Sequence, residues 1–497
     1  MLTAIPRASA VRVLAVSHAL TATREAARVY LHSVDLERGE ALPGPAHLAG
    51  TAAIGPLSVS LDGAEVLLST GTPWRGGQFL PRHGHTFHEF AHVSPFALQP
   101  KKRLTSEPGW REWAVGTLTW GNGQYAVLLG IAPGEDGAFR GRVDFQPYPG
   151  EPGSSVRQDL PGPPVHAVVT DTGEVTTLCT DETGSGAVLI RSNPGGEMAD
   201  FFGLPEPDSI VNKAAAALAL SHDGAILWVL LRGFRLDMAQ GKVYTWLYAL
   251  APDTLEPLAP AFVLPGTDNG PEHTLSPSPG GGCWVALRTP GTNFASLSRV
   301  VLEAGDEAEG NTLRKDLGGP LAQVNEQLRF TRNPENGDLA VAMDNRVEIW
   351  PGGKREARVV SFQEAIGALL WTESNLLVAE AGRIHRLNTR SMETEGEVQL
   401  QSGWITQLMP IPDALIPNDD VDGDALSLAR ETQLGLDPAN PDSDGDGLHD
   451  GIDPSPGAPS PWLDLPAEVA FHGEAVGREI RAVSIDPHGG GANWTVR

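Results

Sequence analysis

Cysteine is scarce in this chain: two residues, Cys179 and Cys283, among 497. Neither sits in a metal-like or redox spacing, and so few thiols exclude a disulfide-stapled scaffold. Long apolar runs are missing as well. The longest, AILWVLL from Ala225 to Leu231, is far too short to cross a bilayer and suits a buried strand. Basic residues are outnumbered, 36 Lys and Arg against 62 Asp and Glu, giving a net charge of −26. A chain so acidic, with no basic patch, repels nucleic acid and anionic lipid. Helical periodicity is almost absent, which argues against a TIM barrel. There is no G-x-S-x-G elbow, Walker A loop or G-x-G-x-x-G opening a helix, so those local signatures of hydrolases and nucleotide binders are missing. The N-terminus, MLTAIPRASAVRVLAVSHAL, is interrupted by Arg12 and His18 and reads as a strand rather than a signal peptide. Taken literally this favours the cytoplasm, although a late start or a fragment would look the same.

Glycine and proline are plentiful, 57 and 41 residues, and they punctuate paired strands. Seven hairpins can be read directly: LSVSLDGAEVLLST from Leu57, WAVGTLTWGNGQYAVLLG from Trp113, VHAVVTDTGEVTTLCT from Val165, AAALALSHDGAILWVLL from Ala215, HTLSPSPGGGCWVALR from His273, LRFTRNPENGDLAVAM from Leu328 and IGALLWTESNLLVAEA from Ile366. The pairs Asp62-Gly63, Asn122-Gly123, Asp223-Gly224 and Asn336-Gly337 are expected to supply the positive φ that tight hairpins need. The hairpins begin 38 to 58 residues apart, close to the period of a four-stranded blade. VRVLAVSHAL and ARVYLHSVDL at the start read as middle strands lacking an inner one, which GWITQLMP (403–410) supplies from the far end of the repeat region. The prediction over 1–410 is therefore an all-β, seven- or eight-bladed β-propeller, with eight favoured because that closure removes open edges. The pattern resembles propellers with degenerate repeats of the WD40-like or YVTN kind, in architecture only, since no WD dipeptide or other blade signature occurs.

The residues whose spacing demands a particular chemistry lie in 411–453. Twelve acids and one base, Arg430, stand between Asp413 and Asp453. Asp420, Asp422, Asp424 and Glu431 fall at places 1, 3, 5 and 12 of a calcium loop, with Leu426 at place 7 offering a backbone carbonyl. Asp442, Asp444, Asp446, Asp450 and Asp453 fall at places 1, 3, 5, 9 and 12 of a second loop, with Leu448 at place 7. Alternating acids on a turning chain aim several oxygens at one point, which satisfies a hard cation, and Ca²⁺ is the usual choice. Gly447 stands at the sharp place 6 of the second loop; Ala425 stands there in the first, where a left-handed conformation costs about 1 kcal/mol. DALSLARETQLG suits one short helix stopped by Gly435. The bland alternative is a solvated acidic linker. DVDGDALSLARE with LGLDPANPDSDGDGLHDGID resembles the bacterial thrombospondin type 3 repeat over about forty residues. That resemblance implies a calcium-wrapped connector between extracellular modules, with Asp420, Asp422, Asp424, Asp442, Asp444, Asp446 and Asp450 as ligands.

His88-Glu89-Phe90-Ala91-His92 matches H-E-x-x-H, which on a helix sets two histidines and a glutamate for zinc hydrolysis. Gly84 and Pro95 bracket it too tightly for a long helix, and it falls where a third strand belongs. Glu107 and Glu112 are the nearby acids available as a third ligand; the competing expectation is plain packing histidines.

Beyond Asp453 come a proline-rich spacer (454–461) and 462–497, in which VSIDPHGGGANWTV resembles the opening of a BACON-type immunoglobulin-like module. A sandwich needs about 100 residues, so the expectation is a fragment, or a module whose last strands come from a partner. The combined expectation is a non-catalytic, calcium-binding, modular surface or secreted protein. Its propeller would serve as a platform for an unknown protein or polysaccharide, with no nucleic acid and no membrane span. The alternative is a propeller-based enzyme, either a polysaccharide hydrolase or lyase or a zinc peptidase around His88, Glu89 and His92.

Overall fold

The computed structural model describes the strands between residues 12 and 410 with most of their short turns. Beyond them it describes Asp422, residues 431–445 apart from 433, Asp450 and Gly457. Between 46 and 109 the description is of backbone, with the side chains of Val66 and Leu68. The immunoglobulin-like reading of 462–497 lies outside the described residues.

Within those bounds the chain forms eight antiparallel sheets. Blade 2 runs Ala52–Val59, Glu65–Gly71, Thr86–His92 and Leu98–Thr105. Blade 3 runs Arg111–Trp120, Gly123–Pro133, Phe139–Tyr148 and Val156–Leu160; blade 4 runs Pro164–Val169, Val175–Thr180, Ala187–Ser192 and Met198–Gly203. Blade 5 runs Ile210–Leu220, Leu227–Arg235, Val243–Leu250 and Phe262–Pro265; blade 6 runs Leu275–Ser278, Gly282–Arg288, Ala295–Glu303 and Thr312–Pro320. Blade 7 runs Arg329–Arg332, Leu339–Met343, Arg346–Trp350 and Arg358–Ser361; blade 8 runs Ile366–Trp371, Asn375–Glu380, Arg383–Asn388 and Glu393–Gln399. In each, neighbours in sequence are neighbours in the sheet, and the first strands of successive blades touch around a ring.

Blade 1 is assembled from both ends of this region. Trp404–Pro410 takes the innermost place, followed outward by Arg12–Leu20, Ala27–Asp35 and Glu40–Ala41, with Ala46–Leu48 also on Ala27–Asp35. Val13 pairs with Pro410 and His18 with Trp404. The protein is an eight-bladed β-propeller. All seven predicted hairpins form first-and-second-strand pairs, and the eighth blade closes as the pattern of middle strands implies.

A strand sends alternate side chains to opposite faces, and each blade has a neighbour on both faces. In Leu227–Arg235 this means Leu227, Val229 and Leu231 enter the layer shared with blade 4, while Trp228 and Leu230 enter the layer shared with blade 6. Val243–Leu250 divides likewise, Trp246 and Tyr248 to one side and Leu247 and Ala249 to the other. Such strands read as continuous apolar runs, which is why AILWVLL carries no alternation. The core is accordingly a ring of layers between blades, closed by Val13, Ala15, Val34 and Ile405 of blade 1 against Leu377 and Ala379 of blade 8.

Near the axis the inner strands crowd. A Cβ at Gly367, on the first strand of blade 8, would stand 1.8 Å from the Ile405 carbonyl oxygen of the closing strand. Only a bare Cα fits there. Trp371 on the same strand donates its indole N–H to the Thr331 carbonyl of blade 7 at 3.0 Å. Turn chemistry matches expectation at Gly224 (φ 69°) and Gly337 (φ 74°). At the blade 3 hairpin Gly121 has φ 58° and Gly123 opens the next strand, while Asn122 lies outside the described residues. Asp62-Gly63 lies outside the described residues. Cys179 and Cys283 are both free and buried, in separate inter-blade layers, and burial pushes both thiols well above their ordinary range.

Blade 1 also fixes where the chain leaves the ring. Its first strand ends at Pro410 beside the start of its second strand, the place occupied in other blades by the turn between strands one and two. The acidic segment therefore issues from that end of the propeller.

Candidate metal centre

Downstream of the ring, Glu431, Thr432 and Leu434 are helical. The helix stops at Gly435, φ 76°. Gly435 N–H donates to the Thr432 carbonyl at 3.3 Å and Leu436 N–H to the Glu431 carbonyl at 3.0 Å. Those two bonds make a Schellman cap, so Gly435 terminates the helix as expected.

The chain then folds on itself through polar groups. Asp437 Oδ1 accepts from Ala439 N–H at 3.2 Å, and Asp437 N–H donates to Ser443 Oγ at 2.9 Å. Asn440 Nδ2 donates to the Asp442 carbonyl at 2.7 Å. Asp442 Oδ1 accepts from Gly445 N–H at 2.8 Å, pinning place 1 of the second loop to place 4, where Gly445 has φ 75°. The sharp turn expected at Gly447 lies outside the described residues; the one on view is at Gly445. Asp450 returns to the loop's beginning: its N–H donates to the Pro441 carbonyl at 2.8 Å, and Oδ1 accepts from Ser443 N–H at 2.8 Å. Asp450 Oδ2 accepts from Ser443 Oγ. Asp450 thus acts first as a strut between places 2 and 9, each oxygen keeping a further lone pair.

Burial in this segment falls on unusual groups. Glu431 is wholly enclosed and Asp450 is 3% exposed, whereas Leu436 is the single buried apolar residue described there. Both carboxylate oxygens of Glu431, Oδ2 of Asp422 and Oδ2 of Asp444 are shut off from solvent. Enclosing ionised carboxylates costs several kcal/mol each unless donors or cations surround them. Oxygen-only donors enclosed in this way suit a hard divalent ion. Of the eleven expected ligands, Asp422, Glu431, Asp442, Asp444 and Asp450 are described; Asp420, Asp424, Leu426, Asp446, Leu448 and Asp453 lie outside. Among the described residues no three His, Cys, Asp or Glu gather closely enough to hold a metal ion.

The zinc reading loses its geometric basis. His88, Glu89 and His92 lie within the strand Thr86–His92, third in blade 2, paired with Glu65–Gly71 and Leu98–Thr105. The spacing of four that sets two histidines one turn apart on a helix spans about 13 Å along a strand, too far for one ion. Glu112 is committed elsewhere: Arg142 Nε donates to its Oε1 at 3.0 Å. Glu107 lies outside the described residues.

Motif reading also passed over several buried polar pairs. Arg142 spans Gly130 to reach Glu112, its guanidinium 4.0 Å above the Trp110 ring. Burial holds the Glu112 carboxyl above its ordinary range despite that partner. Ser17 and His32 meet at 2.8 Å, and burial lowers the His32 pKa to about 4. His385 Nε2 lies 2.8 Å from Glu380 Oε2. Each pair joins residues from different strands, so no local spacing announces it.

No protein-family model matches the chain. No curated protein matches it in sequence. Among solved structures it is similar to apo AztD from Citrobacter koseri, at 15% identity over 80% of this chain and 96% of that one, with a TM-score of 0.45. It is similar also to the periplasmic gluconolactonase PpgL of Pseudomonas aeruginosa, at 14% identity, 80% and 98% coverage and a TM-score of 0.42. The WD40 domain of SCAP from fission yeast gives 9%, 73% and 90%, and 0.43. These values transfer neither activity nor ligand. Among the described residues no helix is long and apolar enough to cross a membrane.

Proposed function

We propose that this chain is a non-catalytic, modular binding protein in which a propeller platform is carried on a calcium-stiffened connector. The observation that carries the reading is the enclosure of carboxylate oxygens at Asp422, Glu431 and Asp444 in a stretch where Leu436 is the one buried apolar residue among those described. Asp422, Glu431, Asp442 and Asp444 would hold the ion, joined by Asp420, Asp424, Asp446, Asp453 and the Leu426 and Leu448 carbonyls through their spacing. Bound Ca²⁺ would supply the charge that lets the acids approach one another; the chain's own turns at Asp437, Asp442 and Asp450 hold the second loop's backbone in place.

The thrombospondin type 3 and BACON resemblances support an arrangement of platform, spacer and further module. Calcium loops of extracellular modules bind at roughly 10⁻⁴–10⁻³ M, so a site of this kind fills outside the cell and supports a secreted or surface location. The connector leaves from the first-turn end of the ring, which leaves the opposite end free for a protein or polysaccharide. Calorimetry with millimolar Ca²⁺ should give saturable heat, and chelation should expose the chain near residue 440 to protease. No heat and unchanged cleavage would overturn the reading.

A further inference from the structure

Exposed aromatic side chains fall at one seam of the propeller. Among the described residues the large apolar side chains most open to solvent are Phe294 at 62%, Val359, Leu434 and Phe234 at 37%. Both phenylalanines stand by turns between second and third strands, at the end opposite the connector. Phe234 lies near the end of Leu227–Arg235, where Trp228 and Leu230 face blade 6, and alternation sends it the same way. Phe294 ends the turn before the third strand of blade 6, and its carbonyl accepts from Thr289 N–H at 2.9 Å. Two places on, Ser296 pairs with Leu287, which packs toward blade 5, so Phe294 faces blade 5. The two phenyl groups flank one seam from opposite sides.

The link from blade 5 to blade 6 is tied to both walls of that seam. Gly266 N–H donates at 3.0 Å to the carbonyl of Val243, the cross-strand partner of Phe234, and Thr267 exchanges two bonds of 2.9 Å with Arg288. Next comes Asp268, whose Oδ1 accepts from Arg232 Nη1 at 3.0 Å and from Thr267 Oγ1 at 3.2 Å. Asp268 is largely covered, while 48% of the Arg232 side chain stays open to solvent. The polar floor is therefore held in place before any ligand arrives, which lowers the cost of binding one.

Phenyl groups open to this degree offer roughly 200 Å² of apolar surface together, against the ~800 Å² per partner that a stable protein interface buries. They suit a slender ligand. Arg232 and Asp268 neutralise one another, and a chain of net charge −26 repels a polyanion. Arg232 still presents N–H groups to an oxygen acceptor. Aromatic faces attract the positive edge of C–H groups. A ligand with C–H faces bordered by hydroxyl oxygens, and no charge, matches all of these features. We propose that the seam between blades 5 and 6 binds an uncharged polysaccharide, with Phe234 and Phe294 stacked on sugar faces and Arg232 donating to hydroxyl oxygens. This rests on the binding role proposed for the propeller and names the ligand class of its free end.

The test is affinity electrophoresis and calorimetry of the full chain with soluble β-glucan, xylan and mannan, and with polygalacturonate as the charged control. At least one neutral glycan should bind saturably, equally with Ca²⁺ or with chelator, and polygalacturonate should not. Phe294→Ala, Phe234→Ala and Arg232→Met should each weaken that binding roughly tenfold. Val359→Ala, at another open apolar residue on the outer strand of blade 7, should change nothing. No binding of any neutral glycan overturns the proposal and leaves a protein as the seam's occupant. Binding that survives loss of both phenylalanines, or a preference for polygalacturonate, overturns it too. So does binding lost on chelation alone, which moves the ligand to the connector. If Phe234→Ala does not fold, Phe294→Ala decides: unaltered affinity there would sink the idea. Saturable Ca²⁺ heat without glycan binding defeats the seam and leaves the connector reading standing.

Discussion

The ring and the acidic segment solve the same problem with opposite materials. In blades 4 to 6 the groups taken out of water are Trp228, Trp246, Tyr248 and Trp284, with leucines and valines around them. In the described part of the acidic segment they are Glu431, Asp450 and Leu436. Apolar burial is non-directional and yields roughly 25 cal/mol per Å², so a blade needs only a matching face on its neighbour. Enclosed carboxylates yield nothing by themselves and require hydrogen-bond donors or a cation around them. One region is therefore stable from its own composition, and the proposed calcium connector would be its opposite, with a shape that depends on what is dissolved around it.

Changes at the ring's closure should break that comparison most forcefully. Gly367→Val drives a side chain into the Ile405 carbonyl and expels the closing strand, at a cost of about 4 kcal/mol or more. Thermal unfolding would register it as a large fall in Tm, with Ca²⁺ giving no rescue. Trp246→Ala empties part of the layer between blades 4 and 5 and should cost about 3–5 kcal/mol by denaturant titration.

Acid sharpens the contrast from the ring's side. His32, held neutral by burial with a pKa of about 4 against an ordinary 6.5, binds fewer protons folded than unfolded between those values. Its contribution is complete above about 6.5 and disappears as the pH falls toward 4, up to about 3 kcal/mol. Glu112 and Asp144, raised by burial, have the opposite sign. Comparing wild type with His32→Asn from pH 7 to pH 4 isolates the histidine: the wild type should lose stability relative to the variant. A parallel pair of curves would remove the effect.

Substituting the segment's acids should move the ring least. Glu431→Gln with Asp444→Asn should leave the propeller's Tm within about 0.5 kcal/mol of wild type. Protection of residue 440 from protease should no longer depend on Ca²⁺. A joint loss of ring stability and protection would show the two regions to be one cooperative unit.

Much of the ring was legible because its signals are local. Hairpins such as Asp223-Gly224 between two apolar runs declare themselves within seventeen residues, and the orphan middle strands at the start implied an inner strand from elsewhere. The cap at Gly435 was equally plain. Arg142 reaching Glu112 across Gly130 and Ser17 meeting His32 were not, since each depends on which strands become neighbours. H-E-x-x-H misleads for the complementary reason. Its chemistry presumes a helical period of 3.6, and residues 86–92 have the period of a strand.

By itself the sequence determined the all-β class, the blade period, the stop at Gly435 and the concentration of acids in 411–453. These follow from period, turn chemistry and composition, which act over a few residues. Tertiary structure alone decided the register in which the closing strand lies, Val13 against Pro410 and His18 against Trp404, and that Gly367 must be bare. Those facts arise where segments distant in sequence are forced into contact, and short-range pattern holds no record of such meetings.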